Sequence, residues 1–310
     1  MVRLHITSTE PNVGKTVLGL ALATLAARGG VSVRYSRTAE TFPDNGESSD
    51  TAVAQEALGA ESVIPIESAA RESGDGLLIV EDSKGTTGGT APRGSSTVLV
   101  VWYREEMIAA DVMDAAEPFE DGLTGIVLNN VPKLRMHAAT RDLVPEIESG
   151  GARVLGVVPQ DRLLLAPTVG ELVELLDAEV IAFPEGLGEP VESLMMGALA
   201  LDGGIHYYGD TDRKVVITRW DRPDLQMPAM ATGCQGLILT NGGRPMPYVW
   251  NRVQELKIPV ALVQSGTVAT ANKLGNGSLA GRGTASQRKV EHLADVLAKL
   301  APGFVGLIPT

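Results

Sequence analysis

Ser8-Thr9-Glu10-Pro11-Asn12-Val13-Gly14-Lys15-Thr16 decides how the rest of the chain is read. A short apolar run, Leu4 to Thr7, stands before it, and a longer apolar segment begins at Lys15. A strand, a polar loop ending in glycine and a helix, in that order, turn several backbone N–H groups towards one point. There they and the helix dipole favour an anion. Gly14 lets the backbone approach closely, the Lys15 ammonium reaches outer phosphates, and the Thr16 hydroxyl is a ligand for Mg²⁺. Asn12, Val13, Gly14, Lys15, Thr16 and Val17 are therefore the expected phosphate cradle.

The helix after the loop carries Val17, Leu18, Leu20, Ala21, Leu22, Leu25 and Ala26 and stops at Gly29-Gly30, a pair suited to a left-handed cap. Its apolar residues wrap more than one face, which predicts deep packing against a sheet. Similar short apolar runs recur at Ser32 to Ser36, Leu77 to Val80, Val98 to Trp102, Gly125 to Leu128, Val154 to Val158 and Glu179 to Phe183. They are continuous rather than alternating, so the strands are expected to be covered on both faces. Separation by helical patterns implies a mostly parallel sheet.

Pro184 to Pro190 holds two prolines and two glycines in seven residues and reads as the boundary between residues 1–186 and 187–310. Beyond it, strands are expected at Lys214 to Thr218, Gly236 to Thr240 and Pro259 to Val263. Helices are expected at Met246 to Leu256 and Ser286 to Leu300, the last with Val290, Leu293, Leu297 and Leu300 on one face. Gly275 to Gly283 reads as a loop. The fold class is thus α/β: a mostly parallel sheet with helices on both faces, followed by a smaller α/β domain.

Composition narrows the partners. Among 310 residues, 26 Lys and Arg face 38 Asp and Glu, a net charge of −12, and no basic run exists to follow a nucleic-acid backbone. The single cysteine, Cys234, excludes an intrachain disulfide and multi-cysteine zinc sites and fits a reducing compartment. Neither a signal peptide nor a membrane span is apparent in the sequence, and the expectation is a soluble, cytoplasmic protein with no membrane partner.

A magnesium site in this architecture takes carboxylates from the carboxyl ends of neighbouring strands. Glu81 and Asp82 end one such strand, and either is a candidate ligand or base, or simply the start of a solvated loop. Asp50, opening the helix Thr51 to Leu58, is a candidate ligand or an N-cap.

Ser8 to Thr16 resembles the modified phosphate loop of dethiobiotin synthetase, with Ser8 in the place of that loop's leading glycine. Val154 to Glu171 (VLGVVPQDRLLLAPTVGE) and Met195-Met196-Gly197-Ala198 resemble the dethiobiotin-synthetase-like N-terminal region of long bacterial phosphotransacetylases and their stand-alone relatives. Val215 to Asp224 (VVITRWDRPD) and Gly236 to Gly243 (GLILTNGG) are similar to the small domain that follows there, named for an Asp-Arg-Thr-Gly-Gly motif. Here Asp221-Arg222-Pro223-Asp224 replaces that motif.

The resemblance implies a P-loop NTPase-type domain that binds ATP and Mg²⁺. Lys15 and Thr16 match its phosphate and magnesium residues, Asp50 and Glu81 its acidic metal ligands, and Asn129 or Asn130 its base-contacting asparagine. The substrate-positioning lysine falls at Arg37, which makes Lys15, Glu81 and Arg37 the catalytic candidates. Guanidinium and ammonium are not interchangeable beside a carbamate. The expected function is an ATP- and Mg²⁺-binding regulatory or scaffolding protein, a homodimer through its small domain, with or without a further protein partner. The alternative is an ATP-dependent synthetase that activates a carboxylate or carbamate. Transacetylation is disfavoured because only a terminal helix follows the small domain.

Other residues are read as structural. His5, His137, His206 and His292 share no face and are expected to be satisfied or exposed, and Cys234 to be inert. No Gly-x-Ser-x-Gly elbow is present. Asp221 and Arg222 either bind an anion, pair with one another or pair across a dimer. Lys84 to Ser96 (KGTTGGTAPRGSS) follows Glu81 and is a candidate lid.

Overall fold

Apolar strands that bury both faces need helices on both sides. The computed structural model describes residues 1–38, 49–82, 94–119, 122–197, 204–276, 284–300, 304 and 306–308. Two compact units emerge: Met1–Leu164 together with Gln287–Thr310, and Leu165–Ser286.

In the first unit β1 (Val2–Thr7), β2 (Val33–Thr38), β3 (Leu77–Asp82), β4 (Ser96–Trp102), β5 (Leu123–Val131) and β6 (Val154–Pro159) form one parallel sheet in the order β2-β3-β1-β4-β5-β6. Consecutive residues of each strand feed opposite cores. Leu4, Ile6, Leu77, Ile79, Val98 and Val100 pack with α1 (Lys15–Arg28) on one face. Leu99, Val101, Ile126 and Leu128 pack on the other with Val112 of α4 (Ala109–Ala116) and Ile147 of α5 (Val144–Ser149). Between β2 and β3 lie α2 (Ser49–Leu58) and the short α3 (Ile66–Ala69), whose Ala69 and Ile66 pack with Leu78 and Val80.

α1 ends as its glycines require. Gly30 has φ 83°, its N–H bonds Ala27 O at 3.0 Å and the Val31 N–H bonds Ala26 O at 3.0 Å, so two otherwise orphaned carbonyls are satisfied. The chain leaves β1 in one direction across the sheet and β3 in the other, and such a reversal opens a crevice at the carboxyl ends of the strands.

The second unit contains α6 (Val169–Leu176), β7 (Glu179–Ala182), β8 (Ser193–Met196), α7 (Gly204–Gly209), β9 (Lys214–Arg219), α8 (Pro223–Ala231), β10 (Gly236–Thr240), α9 (Pro247–Leu256), β11 (Val260–Leu262) and α10 (Thr267–Asn276). Its sheet runs β7-β11-β10-β9-β8, parallel except for β7 at the edge. α7, α8 and α9 bury Tyr208, Ala229, Met230, Val249 and Val253 on one face, while α6 and α10 bury Leu172, Leu176 and Leu274 on the other. A capping box starts α6: Thr168 Oγ1 accepts from the Glu171 N–H at 3.2 Å, and Glu171 Oε2 accepts from the Thr168 N–H at 2.8 Å.

Five expectations need correcting. The division at 186/187 is displaced, because residues 189–191 hydrogen-bond back to 167–169 and Gly186 packs on Pro259, which makes Pro184–Gly188 a turn inside the second unit. The terminal helix, α11 (Gln287–Leu300), belongs to the first unit, where Val290, Leu293 and Leu297 join the core of α1, and Leu300 is exposed. The run at Glu179 is the antiparallel edge of the second sheet rather than a seventh strand of the first, and Ser193–Met196 is a strand where none was expected. The loop expected from Gly275 begins later, since α10 continues through Asn276. Residues 277–283, most of the candidate lid (84–93) and Ala198 lie outside the described residues. Among the described residues no helix is long and apolar enough to cross a membrane.

Candidate functional site

The loop between β1 and α1 is shaped by two left-handed residues, Asn12 (φ 59°) and Gly14 (φ 84°). The φ of 84° favours glycine at this position, and a Cβ there would lie 2.8 Å from Asn129 Nδ2 and push that amide aside. Val13 is buried, its carbonyl accepts from Asn129 Nδ2 at 2.8 Å, and the Gly14 carbonyl accepts the Leu18 N–H at 3.0 Å. The amides that open α1, through Val17, have no acceptor inside their own helix.

Lys15 is folded into this loop. Its Nζ donates to Ser8 Oγ at 2.9 Å, and Ser8 Oγ in turn donates to Glu10 O at 2.5 Å. The residue in the place of a leading glycine therefore holds the ammonium. Burial pulls the Lys15 pKa down, while Glu81 and Asp82 push it up. Glu10 also makes an exposed two-pronged pair with Arg104 Nη2, both distances 2.6 Å.

Glu81 and Asp82 leave β3 on opposite faces. Glu81 turns to the side of α1, where Oε1 accepts from Thr16 Oγ1 at 2.7 Å and Oε2 accepts from the Tyr35 hydroxyl. Arg37, its partner in the β2–β3 register, places Nη2 at 3.5 Å from Glu81 and 3.0 Å from Asp50. Burial pushes the Glu81 carboxyl up, opposed by Arg37, Thr16 and Tyr35, and the Tyr35 hydroxyl is pushed well up by its own burial and by Glu81. Asp82 accepts from Thr7 Oγ1 and Thr38 Oγ1, both at 3.2 Å.

The structure thus brings Lys15, Thr16, Arg37, Asp50 and Glu81 together. Asp50 is the second residue of α2, so its carboxylate serves Arg37 and the N-cap alternative falls away. Asn129 spends one amide proton on Val13 and accepts the Asn130 N–H at 2.9 Å, which makes it a brace for the loop; Asn130 itself takes φ 62°. Tyr35 was missed, although it stands two residues before Arg37 on one strand and so shares its face. The donor set suits a hard cation: Thr16 gives its proton to Glu81, which leaves hydroxyl lone pairs for a metal beside carboxylate oxygens. Among the described residues no three His, Cys, Asp or Glu gather as a metal site, here or elsewhere, so a cation at this site would rest on two carboxylates and the Thr16 hydroxyl.

The residues read as structural divide. His137 and His206 are exposed, and His292 Nε2 lies 2.9 Å from Asp161 Oδ2. His5 departs from the expectation: it is 0% exposed, and among the described residues neither ring nitrogen has a hydrogen-bond partner. Burial pushes the Cys234 thiol up to about 12. Asp221 and Arg222 do not pair with one another; Asp221 holds Arg219 at 2.6 Å and Arg222 holds Asp224 at 2.6 Å.

Residues 171–276, within the second unit, match the family model of the DRTGG domain. Among solved structures, the chain is similar to the CBS and DRTGG domains of the regulatory region of Clostridium perfringens pyrophosphatase complexed with its activator, diadenosine tetraphosphate. Identity is 13%, covering 64% of this chain and 86% of that one, with a TM-score of 0.33. It is also similar to the MinC:MinD cell division protein complex of Aquifex aeolicus, at 15% identity over 53% of this chain and 83% of that one, with a TM-score of 0.36.

Proposed function

We propose that the first unit binds ATP with Mg²⁺ and that nucleotide occupancy serves regulation or scaffolding. The observation that carries this reading is the converging set at the head of α1: the Lys15 ammonium held by Ser8 in the loop, with the Thr16 hydroxyl committed to Glu81. Lys15 and the amides of Val13 to Val17 hold the phosphates; Thr16, with Glu81 and Asp50, holds the metal; and Asn130 is the candidate for the base while Asn129 braces the loop. When bound, Mg²⁺ neutralises phosphate charge and fixes the phosphates' orientation. The DRTGG match over the second unit is in keeping with the regulatory reading that the resemblance implies.

The synthetase alternative asks Arg37 to position a second substrate, and its guanidinium is already engaged by two carboxylates. In that case Lys15 would stabilise charge on the transferred phosphoryl group. Calorimetry with Mg·ATP, beside ADP release with and without bicarbonate and candidate amines, separates the readings. The expected result is Mg·ATP binding that Lys15→Ala abolishes, with no substrate-stimulated ADP release. Stimulated release would establish the synthetase reading instead, and no binding by the wild type would overturn both.

A further inference from the structure

Arg37 occupies the ground between the two acids assigned to a metal. Its side chain is 11% exposed and that of Glu81 2%, so solvent and salt screen this contact far less than a surface ion pair. A buried carboxylate without a positive neighbour tends to neutralise by taking up a proton, and here the chain itself supplies the neighbour. Thr16 and Tyr35 add hydrogen bonds to the same carboxylate, but neither brings charge. A divalent ion in contact with both Asp50 and Glu81 competes for the oxygen lone pairs that now face the guanidinium.

We infer that Arg37 is the resident cation of the Asp50–Glu81 pair, that Mg²⁺ arriving with the nucleotide exchanges with it, and that the released guanidinium turns to a phosphate oxygen of that nucleotide. This rests on the Mg·ATP reading above and adds an order to it. The metal alone binds weakly because it must displace the guanidinium from both carboxylates. The metal and nucleotide together bind well, because a phosphate receives the planar fork of donors that the carboxylates give up. Arg37 is thereby a positioning residue that makes metal binding conditional on nucleotide.

The test uses Mn²⁺ without nucleotide, followed by loss of the free-ion paramagnetic resonance signal, on the full chain. Wild type is compared with Arg37→Ala, Arg37→Gln and the double variant Arg37→Ala/Asp50→Asn, each checked for fold by circular dichroism. Removing a competing charge from a pair of which one member is buried predicts that Mn²⁺ binds both single variants about tenfold more tightly than wild type. The double variant is expected to lose that gain. Equal or weaker Mn²⁺ binding by the single variants overturns the exchange; should Arg37→Ala fail to fold, Arg37→Gln, which keeps a hydrogen-bonding side chain, decides it. Mg·ATP calorimetry on the wild type runs alongside. Its failure removes the nucleotide reading, whereas the Mn²⁺ ranking judges Arg37 separately.

Discussion

Glu81 and Asp82 are adjacent in sequence and differ in everything that matters chemically, because consecutive strand residues leave on opposite faces. Glu81 meets Thr16, Tyr35 and Arg37, and Asp82 meets Thr7 and Thr38. His5 lies on the Asp82 side of the sheet, between Val80 and Thr97 in the register of its neighbours. Burial lowers its pKa from the ordinary 6.5, with Asp82 opposing. A histidine that resists protonation in the folded state contributes stability above its unfolded pKa, and that contribution is lost as pH falls from there through the lowered value. Melting of the wild type is therefore expected to weaken as pH drops below about 6.5, and His5→Leu to flatten that fall. Freed of two unpartnered buried nitrogens, the variant should also gain about 1–3 kcal/mol at neutral pH, read from denaturant unfolding. A variant less stable than wild type at every pH would show that the ring is satisfied by buried water. Lys15, Thr16 and Glu81 were legible in the sequence from loop spacing and strand ends. His5 was not, since one histidine in an apolar strand carries no sign of whether its nitrogens find partners.

At the scale of elements, α1 and α11 form a partnership between segments far apart in the sequence. Val290, Leu293 and Leu297 recur on one face of α11 and lie buried with Leu18 and Leu22 of α1 in the same core. Leu293→Ala removes three carbon atoms from a close-packed site and is expected to cost about 2–5 kcal/mol of unfolding free energy in urea. A loss below about 0.5 kcal/mol, the range of surface substitutions, would mean that α11 is not docked on this core. The amphipathic face was visible in the sequence, but not the unit it joins, because periodicity shows which side of a helix is buried and never against what. The same limit displaced the domain boundary. Pro184 to Pro190 does turn the chain, as its composition requires, yet a turn divides a molecule only where contacts cease to cross it. Ser193–Met196 escaped notice because four residues give too little pattern to separate a strand from a loop.

For the whole molecule, the net charge of −12 sets the terms on which an anionic nucleotide approaches: attraction has to come from the local donors of the loop, Lys15 and the metal. The proposed regulatory role needs a second body to act on, and the DRTGG-like unit is the candidate for self-association. Light scattering at micromolar concentration is expected to give twice the mass of the 310-residue chain. A monomer under those conditions would leave regulation to a different partner.

The chain leaves the first unit at Leu164 and returns to it at Gln287, and this has a consequence for its synthesis. Protein domains ordinarily fold in the order in which the ribosome delivers them. Here the inner unit is fully made while the outer one still lacks α11. The nascent chain therefore carries a finished globule in its middle and an unfinished one at its front, with the side of α1 that awaits α11 open to water. Until the ribosome delivers α11, that surface belongs to whatever holds nascent chains apart.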